Sequence, residues 1–311
     1  MKVVVTGGAG FIGANLLSHL GRRHPDWELV ALDDLSSGFR SNLTACPQAR
    51  LLEGSILDEN VLEAAFDGAD AVVHLAARPS VPRSIADPVT AHEVNATGTM
   101  RVLEAARRAG GPHVIVASSS SVYGANPTLP KVETLATRPI SPYAASKLAT
   151  ESYTLAWGHS YGLPVLAFRF FNVFGPLQAA GHAYAAAIPT FIDAALAERS
   201  IPLHGSGQQS RDFTFVGTVA EVIGRAIDSR ITSPEPVNLA FGSNITLLEV
   251  IKEIEAILGR SVAVEHLPPR AGDVMHSQAD NTLLRSLIAG IEPVEFSEGL
   301  RQTVEWSRSR A

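Results

Sequence analysis

Positive charge is scarce in this chain and cysteine is nearly absent. Twenty-five Lys and Arg residues stand against 31 Asp and Glu, a formal net charge of −6, and no stretch gathers basic residues into a tract. Such a balance repels phosphate backbones, which excludes nucleic acid as a main partner. Cys46 is the only cysteine, so no intrachain disulfide can form and a reducing compartment is expected. No uninterrupted apolar run is long enough to span a bilayer, and a strand pattern beginning at residue 2 leaves no room for a signal peptide. A cytoplasmic chain with no membrane partner is the expectation. The histidines show no zinc spacing: neither His19/His24 nor His182/His204 is a helical i,i+4 pair, so no metal is assigned. Gly205-Ser-Gly207 falls short of the five-residue elbow that presents a nucleophilic serine. Internal repeats and low-complexity segments are missing too.

What is present is ample material for a core: 311 residues, 46% of them hydrophobic. Apolar runs at Lys2–Thr6, Leu29–Asp33, Arg50–Glu53, Ala71–Leu75, His113–Ser118 and Val165–Phe171 alternate with helical patterns, which implies a Rossmann-type α/β fold with a doubly wound parallel sheet. Beyond Gly175 the alternation breaks. Helices are expected near Pro189–Glu198, Thr218–Asp228 and Thr246–Leu258, while Pro236–Ala240 reads as a strand returning to the sheet. The expected division is a cofactor domain over 1–177, joined by that strand near 236–241, and a smaller α/β substrate domain over 178–311.

Three stretches carry chemistry. Lys2–Thr6 is followed by Gly7-Gly-Ala-Gly10-Phe-Ile-Gly13 and a helical pattern, the strand, glycine turn and helix of a dinucleotide site. Gly7 allows the tight turn, Gly10 lets backbone approach a pyrophosphate, and Gly13 permits close helix packing, with the helix N-terminus facing the anion. Asp33 ends the next apolar run twenty positions after Gly13, where the ribose hydroxyls of NAD need an acceptor. Asp33 and Asp34, with Arg40 the nearest cation, favour NAD over NADP. The second stretch, Val114–Gly124, is a strand whose end is crowded with serines, and ligand crevices of open parallel sheets lie beyond such ends.

The third stretch is Tyr143-Ala-Ala-Ser-Lys147. Pro142 suits a helix start, so the phenol and the ammonium share a face about one turn apart. At ~5 Å and an effective dielectric of roughly 20 the Lys charge is worth about 3 kcal/mol, a lowering of the Tyr pKa by around two units. That leaves the phenol mostly protonated near neutrality, and a second positive charge such as an oxidised nicotinamide must complete the shift before Tyr143 acts as a base. Taken alone, Tyr-x-x-x-Lys arises in many helices.

Together with Asp33–Gly38, His74–Ala77, Ser118–Gly124 and Phe170–Pro176, these motifs resemble the extended short-chain dehydrogenases, most closely the nucleotide-sugar 4-epimerases and among them the UDP-N-acetylglucosamine 4-epimerases. The resemblance implies NAD bound by Gly7, Gly10, Phe11, Ile12, Gly13, Asp33, Asp34, Ser37, Gly38, Ile56, Asp58, Leu75, Ala76, Ala77, Asn95, Ser118, Tyr143, Lys147 and Phe170. Asp58 reads equally as the N-cap of a helix starting near Glu59. It further implies a catalytic set of Ser119, Tyr143 and Lys147, and a UDP-sugar held by Ser80, Ser119, Ser120, Tyr143, Asn172, Ala187, Arg211, Arg270, Asp273 and Ser277. Arg211 and Arg270 suit a diphosphate because each guanidinium is a planar fork of donors; the alternative for Arg211 is a structural ion pair with Asp212.

Ser277 stands where relatives restricted to non-acetylated sugars carry a bulky aromatic, so the pocket admits an acetamido group. Sugar-nucleotide dehydratases place an Asp-Glu pair just before Val-Tyr-Gly, where this chain has Ser120 and Ser121, which disfavours water elimination. The expected activity is 4-epimerisation of UDP-hexoses, UDP-GlcNAc/UDP-GalNAc and UDP-Glc/UDP-Gal, through a 4-keto sugar. The alternatives are a UDP-glucuronate 4-epimerase, a dehydratase or decarboxylase, and a non-catalytic NAD sensor. Against the uronic acid, Pro176–His182 lacks the Arg that such relatives use on the carboxylate, although His182 or Arg83 could substitute. Helices around Glu93–Arg108 and Ala144–Tyr161 resemble those that pair as a four-helix interface, which implies a homodimer.

Overall fold

The computed structural model describes residues 1–180, 185–268 and 275–310. Seven strands form one parallel sheet: β1 (Lys2–Thr6), β2 (Glu28–Asp33), β3 (Arg50–Glu53), β4 (Ala71–His74), β5 (His113–Ser119), β6 (Val165–Phe170) and β7 (Val237–Leu239). Their order across the sheet is β7-β6-β5-β4-β1-β2-β3. The order reverses between β1 and β4, which opens a crevice beyond their carboxyl ends. Because successive side chains of a strand face opposite ways, Val3 and Val5 of β1 enter one core while Val4 enters another. The first core receives Leu16, Leu17 and Leu20 of the helix Phe11–Arg23. The second receives Leu62 and Phe66 of the helix Glu59–Phe66 with Val102, Leu103 and Ala106 of the helix Gly98–Arg108.

One placement differs from the sequence reading. The helix Val216–Asp228, expected in the second region, presents Val219, Val222, Ile223 and Ile227 to the helix Phe11–Arg23 and closes the first core. Its apolar stripe fits that face as well as any other, so periodicity gave its type and not its partner. A third core lies beyond the sheet. It joins Ile188, Phe191 and Ile192 of the helix Ala187–Leu196 to Val250, Ile251 and Ile254 of the helix Leu247–Leu258, with Ile201 and Leu203 from a strand that pairs in parallel with Val264–Leu267. Among the described residues, no helix is long and apolar enough to cross a membrane.

Candidate active site

The turn after β1 leaves no room for a side chain at Gly7 or Gly13. Gly7 has φ +68°, and a Cβ there would sit 2.8 Å from the Ala76 nitrogen; a Cβ at Gly13 would sit 2.3 Å from the Gly7 carbonyl oxygen. Gly10 stands at the N-cap of the helix Phe11–Arg23 with no side-chain cap, so the amides of the first turn, at Phe11, Ile12 and Gly13, are presented bare. That is a donor set suited to a pyrophosphate. The Asp33 carboxylate is buried at the end of β2, where it accepts the Ala9 N–H at 2.9 Å and the Leu35 N–H at 2.8 Å. Burial pushes its pKa up, and backbone donors, Leu35 first, oppose that. Each oxygen keeps acceptor capacity for a ribose hydroxyl.

Asp34 is exposed and accepts the Ser36 N–H. Gly38 packs on Ala9, with Ser37 exposed beside it, and Arg40 is paired with Glu53 of β3. The Asp58 carboxylate caps the helix Glu59–Phe66 through the Asn60 N–H at 2.9 Å, while Ile56 is buried against Gly98. Leu75, Ala76 and Ala77 follow β4 and are partly exposed, and Phe170 ends β6 packed on the first core. These residues fit a dinucleotide.

Tyr143 is the first N–H donor of the helix Pro142–Tyr161, because Pro142 has none and the Ser141 hydroxyl caps Ala144. Its N–H donates to the Ser84 hydroxyl at 3.0 Å. The phenol lies beside Ser119, whose hydroxyl accepts that of Ser121 at 2.9 Å. Lys147 is 5% exposed, donates from Nζ to the Ala117 carbonyl at 2.8 Å, and is brought down to about 8 by burial. Two expectations are corrected here. Burial pushes the Tyr143 phenol up, against a lowering contribution from Ser119, so the chain's own groups do not depress it. Enclosing a phenol costs its anion more than the neighbouring groups return. Ser118, expected beside the cofactor, donates its hydroxyl to Glu151 at 2.8 Å, since adjacent strand residues project to opposite sides. Glu151 is in turn bound by both forks of Arg169, at 2.9 and 2.7 Å, in a buried pair.

The sequence did not show how the residues around Tyr143 are braced. A π-type turn over Glu93–Thr97 sets buried Asn95 out of helical register. Its side chain accepts the Arg78 N–H at 2.7 Å and donates at 2.9 Å to the Ser146 hydroxyl, which itself donates to the Tyr143 carbonyl at 2.8 Å. Asn95 is thus an internal brace in this structure, in addition to the cofactor contact expected of it. Beneath lies His74, between Thr6 and Thr99 at 2.7 and 3.0 Å. The Thr99 hydroxyl spends its proton on the Asn95 carbonyl, so Nε2 of His74 donates and Nδ1 accepts. Burial, with a lesser contribution from the Lys147 charge, lowers His74 to about 3.

On the other side of the crevice a cavity of about 280 Å³ is lined by Val81, Pro82, Asn172, Ala187, Arg211 and His204, among others. Arg211 donates to the carbonyls of Ser210 and Met275 at 2.8 and 3.3 Å. Asp212 takes different donors: buried, it accepts the N–H groups of Gly242, Ser243 and Ala279 and the Ser243 hydroxyl. Asn172 donates to the Asp212 carbonyl at 3.3 Å. Ser277 is 8% exposed and bonded through its N–H to Ser210. Ser80 holds a strained φ of +93°, and Ser120 is half-buried in the turn after β5. Arg270 and Asp273, with His182, lie outside the described residues.

The model of the NAD dependent epimerase/dehydratase family matches residues 3–240. A UDP-glucose 4-epimerase of Mycolicibacterium smegmatis is 36% identical over 317 residues, covering 100% of both chains. A probable UDP-glucuronate 4-epimerase of Rhizobium meliloti is 30% identical, over 98% of this chain and 96% of its own. The solved UDP-N-acetylglucosamine 4-epimerase of Methanobrevibacter ruminantium M1, in complex with UDP-N-acetylmuramic acid, superposes with a TM-score of 0.93 at 36% identity, over 100% of this chain and 99% of that one.

Proposed function

The chain belongs to the NAD-dependent epimerase/dehydratase family and its cofactor is NAD, and from that premise we propose that it is a UDP-hexose 4-epimerase that accepts acetamido sugars. The observation that carries this reading is the serine pair at 120 and 121: Ser121 donates to Ser119, and no carboxylic acid stands there to protonate a departing hydroxyl. Ser119 and Tyr143 hold the sugar 4′-hydroxyl, and Tyr143 takes its proton. Bound NAD supplies the hydride acceptor and donor, and its ring charge lowers the phenol that burial has raised. Lys147, brought to about 8 by burial, keeps its Nζ on the Ala117 carbonyl one helical turn from Tyr143. Asn172 and Arg211, with Arg270 and Asp273, keep the UDP group fixed while the 4-keto sugar turns its other face. The cofactor role falls to residues 1–177 and the strand near 236–241, together with the helix Val216–Asp228, and the sugar-nucleotide role mainly to the rest of 178–311.

Incubation with UDP-Glc, UDP-GlcNAc and UDP-GlcA in turn, with identification of the 4-epimers, tests the reading; GlcNAc and Glc turn over. Tyr143→Phe lowers turnover about 10³-fold, and near-normal turnover would overturn the assignment of the base. Ser277→Tyr suppresses UDP-GlcNAc more than UDP-Glc, and equal loss on both would remove that position from the specificity reading. A second reading, UDP-glucuronate 4-epimerase, is favoured by the Rhizobium relative. It needs a cation for the buried carboxylate, and Arg83 is on the same short helix as Val81 and Pro82. UDP-GlcA turnover alone would establish it. We place the enzyme in the cytoplasm as a homodimer joined through the helices Gly98–Arg108 and Pro142–Tyr161; a monomer on light scattering counts against that.

A further inference from the structure

The main chain of Tyr143 is gripped at both ends by hydroxyls from other positions. Ser146, braced by Asn95, donates to its carbonyl, and Ser84 accepts its N–H. Only the second grip leads toward the substrate. Ser84 is 1% exposed and donates its own proton to the Val81 carbonyl at 2.8 Å, so one hydroxyl bridges the pocket-lining residue Val81 and the amide of Tyr143. The short helix that carries Ser84 starts from a strained turn. Its N-cap, Ser80, sits at φ +93° and accepts the Arg83 N–H, a conformation that persists only where surroundings enforce it. Val81 and Pro82 from this helix share the cavity with Asn172 and Arg211.

We propose that Ser84 is a positioning residue, through which contact of the nucleotide sugar with the Val81–Pro82 wall sets the placement of the Tyr143 phenol; this rests on the reading of Tyr143 as the base. A phenol displaced by a fraction of an ångström still binds but transfers its proton poorly, so the effect falls on kcat rather than KM.

The test is Ser84→Ala in the full-length NAD-loaded enzyme, assayed on the UDP-hexose that the wild type turns over. The expected result is kcat lower by about tenfold, which is about 1.4 kcal/mol, with KM and NAD occupancy within about twofold of wild type. Ser84→Cys, close in shape with a weaker hydrogen-bonding group, falls between the two and stands in should the alanine variant not fold. In the Tyr143→Phe background Ser84→Ala causes no further loss in single-turnover cofactor reduction. Unchanged kcat in both Ser84 variants, a loss confined to KM, or a tenfold further loss in the Phe background each overturns the proposal. Retained turnover in Tyr143→Phe alone overturns the base assignment instead, so the two failures are distinct.

Discussion

Two buried carboxylates organise the two sides of the crevice, and they do so over different distances along the chain. Asp33 gathers the amides of Ala9 and Leu35, the second only two residues away, and so stiffens a single turn against its own strand. Asp212 gathers Gly242, Ser243 and Ala279, the last 67 residues away, and so ties three separate segments into one wall. The side proposed for the cofactor is backed by a continuous sheet, which its carboxylate refines. Among the described residues, the side proposed for the sugar nucleotide has separate two-stranded pairs instead, Val173–Phe174 with Thr214–Phe215, Ser210–Arg211 with Ile245–Thr246 and Ile201–His204 with Val264–Leu267. There the carboxylate supplies the continuity.

The largest effect that sharpens this contrast is Asp212→Ala. It orphans several buried donors at once and is expected to cost about 3–4 kcal/mol in denaturant unfolding, with UDP binding weakened far more than NAD binding. Comparable loss of both ligands would break the contrast. Asp33→Ala is the counterpart: NAD affinity falls about 100-fold, roughly 2.7 kcal/mol, by calorimetric titration, with about 1–2 kcal/mol lost from the fold.

Acid acts with opposite sign on the two buried carboxylates and on His74. Burial raises both Asp33 and Asp212, so the folded chain holds these protons more tightly than the unfolded one, and that contribution is present at low pH and lost as pH rises through the folded pKa. His74 runs the other way: its folded value of about 3 lies below the ordinary 6.5, so the unfolded chain takes the proton first and stability drains as pH falls through that window. At pH 5 the amide protection factors around β4 and β5 are expected to fall before those of the Asp212 segments, and His74→Asn to flatten the acid slope of unfolding free energy. The smallest expected effect is Ser243→Ala, which removes one donor from Asp212 and costs about 1 kcal/mol.

Legibility followed the same division. The seven strands lie within about one residue of their apolar runs, because a strand buried on both faces leaves an unbroken hydrophobic signature. Tyr143 and Lys147, four apart on one helix, also announce themselves. Asp212 does not, since its partners are remote in sequence and its role looks like that of any acid beside an arginine. The π-type turn that aims Asn95 is invisible because its residues suit an ordinary helix equally well. The direction of the Tyr143 pKa depended on enclosure, which spacing does not report, and Ser118 was misdirected because four consecutive serines offer no clue to which hydroxyl faces which layer.

Strand β6 is completed at Phe170, yet the neighbour that covers its outer edge, β7, begins only at Val237. At about 5–20 residues per second of synthesis, a nascent chain carries that edge uncovered for several seconds, with Phe168 and Phe170 alongside a row of unpaired amides and carbonyls. Demand for chaperones during translation therefore concentrates in that interval, and a premature stop within it releases a sheet prone to sticking to its own kind.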